Sequence, residues 1–289
     1  MTHRILLDVS SLTYRAFFAM KDGLFTQDGR PIGAVHGYLD MVAQLVAKRR
    51  PDEVVHVYDH DWRPVERTRI EPRYKAHRPP DPEGLPEQFV ILRQVLDLTG
   101  MLQAQTEGWE AEDAIGAFCV EASEADRVEI VSGDRDVLQM VRDPVVKVLY
   151  TLRGVSELIE YDEATVLEKY GVPASRYAEF AMLRGDPSDG LPGVLGVGEK
   201  TARDLVTRYP SIEAILAAAE AGDPTLKPAL RDKLAGARDY LERMQRLVPV
   251  NADAPLSLWA GDRDDAALHA LSITLGIKGP VQRLLAALG

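Results

Sequence analysis

The sequence predicts an α/β fold, with a mostly parallel central sheet flanked by helices and a helical C-terminal region, on three observations. Three apolar runs rich in β-branched residues each end in an acidic residue: 4–8 in Asp8, 54–59 in Asp59 and 128–134 in Asp134. Long stretches of helical periodicity separate them. After about residue 160 the composition turns to Ala- and Leu-rich helical segments broken by Gly- and Pro-rich loops.

Each element has its own justification. The three runs lack the apolar–polar alternation of a half-exposed strand, so they read as strands buried on both faces, as parallel sheets require. Residues 33–50, 85–99 and 109–122 carry apolar positions at helical spacing. Further on, 162–170, 176–184, 199–209, 211–221 and 229–247 read as helical, and 264–288 as further amphipathic turns. Two domains are expected: an α/β core over 1–160 with a basic segment at about 62–88, and a helical region over 161–289 with a turn at about 185–205. Tyr14, Arg15 and Phe17 begin the first helix, and Cys119, the phenylalanines and Trp259 are read as packing residues. His36 is read as a helix-surface or packing residue rather than one that approaches the substrate.

Composition narrows the function classes. The chain has 289 residues, of which 46% are hydrophobic and 27% charged. That excludes a disordered chain and leaves enough length for a sizeable core. A net charge of −11 argues against indiscriminate binding to nucleic acid or anionic membranes, although local patches escape that average. One cysteine excludes an internal disulfide and suits a reducing compartment. There is no signal-peptide pattern and no apolar stretch of about 20 residues, so a cytoplasmic protein without a membrane partner is expected.

In an open parallel sheet, ligands bind beyond the carboxyl ends of the strands, so Asp8, Asp59 and Asp134 should share one rim. More carboxylates accompany them. Asp136 lies two positions after Asp134, Glu110, Glu112 and Asp113 open a helix, and Asp186 and Asp189 sit in a Gly/Pro loop. Glu110 and Asp113 fall on one helical face. Taken singly, such residues are more often helix caps than ligands. Gathered, they repel unless a cation neutralises them, and an all-oxygen set suits Mg²⁺ or Mn²⁺ rather than zinc.

Residues 62–79 carry a net charge of +4 in this acidic chain, through Arg63, Arg67, Arg69, Arg73, Lys75 and Arg78 against Glu66 and Glu71. Beside an acidic rim, that combination fits a phosphodiester substrate, with Tyr74 placed to stack on a base. The run Gly193-Val194-Leu195-Gly196-Val197-Gly198-Glu199-Lys200-Thr201-Ala202 sets glycines at a turn before a helix, where backbone N–H groups can hold a phosphate without reading sequence. It lacks the spacing of a Walker A loop.

These residues resemble the bacterial 5′-nuclease family: the 5′→3′ exonuclease domain of DNA polymerase I, the phage 5′-exonucleases and, more distantly, the flap endonucleases. The most specific matches are Gly108-Trp109-Glu110-Ala111-Glu112-Asp113, Ser132-Gly133-Asp134-Arg135-Asp136, and Gly185-Asp186-Pro187-Ser188-Asp189-Gly190 running into Gly198-Glu199-Lys200-Thr201. The resemblance implies a free-standing, divalent-metal-dependent 5′ nuclease. Its substrate would be DNA with a 5′ flap, a nick or a free 5′ end, and its role flap and primer removal in replication and repair.

The resemblance also assigns roles. Asp8, Asp59, Glu110, Glu112 and Asp113 match one set of metal-binding acids, and Asp134, Asp136, Asp186 and Asp189 the rest, for two or more Mg²⁺ or Mn²⁺ ions. Lys75 and Arg78 match the catalytic cations on the scissile phosphate, with Tyr74 beside them on the 5′ strand. Gly193, Gly196, Gly198, Lys200 and Thr201 match the helix–turn–helix that grips the duplex backbone, often with K⁺. The family usually has Asp where this chain has Glu112, one methylene longer. A monomer is expected. The competing expectations are a branched-DNA-binding protein with an impaired metal site, and an Mg²⁺-dependent phosphatase, which would need neither the basic segment nor the glycine turn.

Overall fold

Period-two packing builds the sheet: Ile5 and Leu7 point to one face and Leu6 to the other, and all three are buried. The computed structural model describes residues 2–20 and 23–289. The strands are β1 (His3–Asp8), β2 (Glu53–Tyr58), β3 (Leu102–Thr106), β4 (Arg127–Ser132), β5 (Val146–Arg153), β6 (Glu157–Tyr161) and β7 (Leu256–Ala260). They form one seven-stranded sheet in the order β6-β5-β4-β1-β2-β3-β7. The five inner strands run parallel, and β6 and β7 close the two edges antiparallel.

The helices are α1 (Val9–Ala19), α2 (Gly33–Arg49), α3 (Val65–Ile70), α4 (Leu85–Asp97), α5 (Ala111–Glu121), α6 (Glu163–Tyr170), α7 (Tyr177–Arg184), α8 (Glu199–Arg208), α9 (Ile212–Glu220), α10 (Pro228–Gly236), α11 (Arg238–Leu247), α12 (Asp265–Thr274) and α13 (Lys278–Leu288). Two apolar layers sandwich the sheet. On one face Ile5, Leu7, Leu12, Tyr38, Leu92 and Leu284 join α1, α2, α4 and α13; on the other Leu6, Val55, Ile115, Ile130, Phe180 and Leu205 join α5 and the C-terminal helices.

Chain order turns back at β1. The chain steps from β1 to β2 and β3 on one side, then returns to place β4 and β5 on the other. That reversal opens a crevice at the carboxyl ends of β1 and β4, the position where such sheets bind ligands. β4, β1 and β2 are neighbours, so Asp8, Asp59 and Asp134 do share one rim.

Several expectations need correction. The helix read over 229–247 is two helices that break at Ala237, where φ −99° and ψ 6° leave helical geometry. The C-terminal region is not helical throughout, because β7 pairs with β3 and α13 packs on α2. Phe18 and Phe25 are 58% and 61% exposed rather than core; Phe18 lies on the solvent face of α1, edge-on to Phe17.

Candidate active site at the carboxyl ends of the strands

The three strand-end carboxylates are held by backbone and hydroxyl donors. Asp8 Oδ1 accepts from Ser11 N at 2.9 Å, capping α1, and its Oδ2 accepts from Ser132 Oγ at 2.6 Å. Asp59 Oδ1 accepts from Ala111 N at 2.7 Å, so the end of β2 caps α5. Asp134 N donates to Ser132 Oγ, and Asp134 Oδ1 accepts from Asp136 N, each at 2.9 Å. Capping and gathering are thus one arrangement, since each cap aims a carboxylate along the rim. Burial, with the Asp59 charge beside it, pushes Asp8 up to about 7. Burial and the Glu110 charge raise Asp59 as well.

The start of α5 adds Glu110, Glu112 and Asp113, and with them Arg67, which the sequence placed in the basic segment expected to face a phosphodiester. Arg67 of α3 is 2% exposed and pairs with Glu110, with Glu112 Oε1 at 2.8 Å and with Asp113 Oδ1 at 2.8 Å. Lys75 also pairs with Glu110, whose Oε2 accepts from Tyr74 Oη at 2.6 Å. Burial would raise Glu110, but Lys75 and Arg67 outweigh it and hold it below its ordinary value. Glu112 goes the other way: burial lifts it well above the carboxylate range, against the pull of Arg67. That Arg67, of all the cations in this segment, turns inward follows only from the need of three crowded acids for a counter-charge.

Two expected roles meet a different geometry. Tyr74 is 1% exposed with its hydroxyl committed to Glu110, so here it has no face on which a base could stack. Asp113 is fully buried, pairing with Arg67 while accepting from Asn251 N at 2.8 Å and Glu110 N at 3.1 Å. It braces the start of α5 and does not line a cavity.

The loop after α7 delivers the second acidic set. Asp186 and Leu191 exchange two backbone hydrogen bonds, at 2.9 and 2.8 Å, closing the loop into a hairpin. Gly185 and Gly193 cross at its neck with φ 87° and 70°, and a Cβ on either would strike backbone atoms 2.5–2.8 Å away. Only glycine fits both the conformation and the approach. Asp189 O accepts from Lys75 N at 2.8 Å, and Asp189 Oδ1 accepts from Arg78 Nη2 at 2.9 Å, so the basic segment is stitched to this loop. Burial pushes Asp189 up to about 6, although Lys75 opposes it. Asp136 is raised well above its usual range by burial and by Asp134, Asp189 and Asp186 around it.

Two cavities meet here. One, of about 1680 Å³, is lined by Asp8, Asp59, Glu110, Glu112 and Asp134 together with Lys75 and Arg78. The other is a gap of about 10 Å³ between Glu112, Asp136, Asp186 and Asp189, close to the smallest space that holds a water. Glu112 belongs to both. Among the described residues no three of these side chains converge on one point as they stand, because Arg67 and Lys75 draw several of them aside. The donors are all carboxylate oxygens, and Asp136 faces three other acids, so the set fits a hard divalent cation by its chemistry.

The glycine turn joins α7 to α8. Gly193 N donates to Tyr240 Oη at 3.0 Å, Gly196 has φ 74°, and Gly198 caps α8, with Lys200 and Thr201 in its first turn. Lys233 of α10 lays its ammonium against Gly196, adding a cation unmarked in the sequence. No helix among the described residues is long and apolar enough to cross a membrane.

Comparison with known proteins places this geometry. Residues 3–171 match the model of the 5′-3′ exonuclease N-terminal resolvase-like domain, and 172–268 that of the 5′-3′ exonuclease C-terminal SAM fold. The chain is similar to a 5′-3′ exonuclease of Streptomyces coelicolor, 43% identical over 98% of this chain and 99% of that one. It is similar to a 5′-3′ exonuclease of Mycobacterium tuberculosis, 40% identical over 98% and 97% respectively. The bacteriophage T5 flap endonuclease, solved with DNA and metal ions, shares the fold at 17% identity, with a TM-score of 0.66 over 99% of this chain and 98% of that one.

Proposed function

The chain belongs to the 5′-3′ exonuclease family, and from that premise we propose that it hydrolyses phosphodiester bonds in DNA bearing a 5′ flap, a nick or a free 5′ end, in flap and primer removal. The observation that carries the reading is the meeting of two acidic sets at Glu112, with Lys75 and Arg78 on the same rim.

In this reading Asp8, Asp59, Glu110, Glu112 and Asp134 hold one divalent ion, and Asp134, Asp136, Asp186 and Asp189 a second, with Mg²⁺ or Mn²⁺ as the metal. Bound metal would supply an activated water and charge stabilisation at the departing oxygen. The chain's own residues do the rest. Arg78, tied to Asp189, offers a guanidinium to the phosphate, and Lys75, paired with Glu110 on the same rim, adds its ammonium to the positive charge there. Tyr74 steadies Glu110, and Asp113 with Arg67 fixes the start of α5. The N–H groups of the 193–201 turn, with Lys200, Lys233 and a K⁺ ion, take the duplex backbone. The domain division falls near residue 160: the first part carries most of the acids, and the second adds Asp186 and Asp189 and takes the duplex, in a monomer of the cytoplasm.

One observation favours a second reading. Lys75 and Arg67 already neutralise Glu110, Glu112 and Asp113, as they would in a branched-DNA-binding protein that needs no metal. Turnover separates the two. The nuclease reading predicts that flap DNA is cut only with Mg²⁺ or Mn²⁺, and that Asp134→Ala slows cutting about a thousandfold or more while leaving DNA affinity within about threefold. Cleavage retained by that variant at matched purity would overturn it.

A further inference from the structure

A third cleft, of about 590 Å³, opens beyond the acidic rim, between the ends of β4 and β5 and the 184–188 loop. It shares Arg78, Gly133 and Asp134 with the large cavity but adds Arg135, Tyr150 and Arg184. Three guanidiniums in one cleft are unusual in a chain of net charge −11. The two aspartates on its wall, Asp134 and Asp186, do not absorb them all. Arg78 donates to Asp189 and Ser188 O. Arg184 is held rather than spent: its Nε donates to Gly185 O at 3.1 Å, its guanidinium lies 4.9 Å over the Phe180 ring, and Asp186 Oδ2 stays 3.9 Å away. Among the described residues no carboxylate pairs with Arg135, whose guanidinium instead meets the Tyr150 hydroxyl on the same wall. A guanidinium fixed in direction with free N–H groups matches the fork that phosphate oxygens accept.

Position decides which phosphate. A strand whose scissile phosphate sits on the rim between Asp134 and Lys75 has the large cavity on one side and this cleft on the other. Resting on the nuclease reading above, we propose that Arg184 and Arg135, with the Tyr150 hydroxyl between β5 and the loop, seat a phosphodiester group of the substrate strand, on the far side of the scissile bond from the large cavity. They fix the register of the strand and so where the cut falls.

The test is a chemical double-mutant cycle. A 5′-flap duplex is prepared as a series in which single phosphates around the junction are replaced by uncharged methylphosphonates, and binding is measured without divalent ions. Wild type is compared with Arg184→Met, which keeps an apolar stem over Phe180, and with Arg135→Ala from the opposite wall; thermal unfolding checks that each variant folds. Each variant should weaken binding of unmodified DNA about tenfold and lower the salt slope of log Kd by about one. At one phosphate within two of the scissile bond, the methylphosphonate should cost wild type about tenfold and the variants little. The same variants should smear the product lengths. Unchanged affinity and salt slope in both folded variants, with wild type still cutting, overturns the inference and leaves the nuclease reading intact. A wild-type chain that neither binds nor cuts flap DNA overturns both.

Discussion

At the scale of single residues, the site is a balance of buried charges. Arg67 answers Glu110, Glu112 and Asp113 at once, and removing one partner of such a cluster strands the others. Arg67→Met should therefore cost about 3–5 kcal/mol in divalent-free buffer, and Mn²⁺ should restore part of the loss; thermal unfolding with and without the ion measures both. Protonation gives a second prediction. Asp8 and Asp189 are raised to about 7 and about 6 in the fold, against an ordinary value near 4 when unfolded. The metal-free fold therefore binds protons that the unfolded chain does not, and gains stability from this pair as pH falls from about 7 toward about 4. His56, lowered to about 3 by burial, works in the opposite sense below about pH 6.5. The difference between metal-bound and metal-free melting cancels His56: divalent ions should raise the melting temperature more at pH 8 than at pH 5.5, where protons compete for the same oxygens. An increment equal at both pH values would count against metal at these residues. The sequence made the acids legible because strand ends and a helix start marked them. It hid Arg67 among six basic residues, since no periodicity says which cation of a short helix turns inward.

At the scale of elements, positioning depends on turns more than on helices. The Gly185–Gly193 crossing holds the hairpin that carries Asp186 and Asp189. Gly193→Ala combines a left-handed φ with a backbone collision, so it should destabilise the chain by about 2 kcal/mol or more and reduce cleavage further than binding; melting and flap-cleavage rates check this. For the melting measurement, Gly198→Ala, where a Cβ meets nothing within 4 Å and the backbone is extended, is the matched control. The inner strands β1, β2 and β4 were readable as continuous apolar runs. β3 was not: its sequence LQAQT interleaves Gln103 and Gln105, and Gln103 is tolerated inside only because Tyr58 Oη donates to it and its own amide reaches Asp97. Tertiary pairing supplies what local pattern withholds. The break at Ala237 had one local mark, Gly236 at the end of α10, which the helix-favouring alanines and arginine around it obscured.

At the scale of the whole molecule, the C-terminal segment closes the structure it seemed to leave. β7 covers the β3 edge and α13 packs on α2, so a chain truncated after residue 255 should expose an unpaired strand and an apolar helix face. It should lose its cooperative melting transition and fall to protease digestion that the full chain resists. Composition could not reveal this return, because LSLWA is short and follows a run of helices. The acidic total also concealed the basic run at 62–79, from which Lys75 and Arg78 line the large cavity. In the reading proposed above, this rim is a metal-dependent 5′ nuclease centre. The most direct measurement incubates a 5′-flap duplex, labelled at its 5′ end, with Mg²⁺, Mn²⁺ or EDTA, comparing wild type with the Asp134→Ala/Asp136→Ala double variant. Short 5′ products released by wild type in either metal, absent in EDTA and absent from the variant, are the predicted result. Tight flap binding with no cleavage in either metal, or cleavage that survives in the double variant, would contradict it.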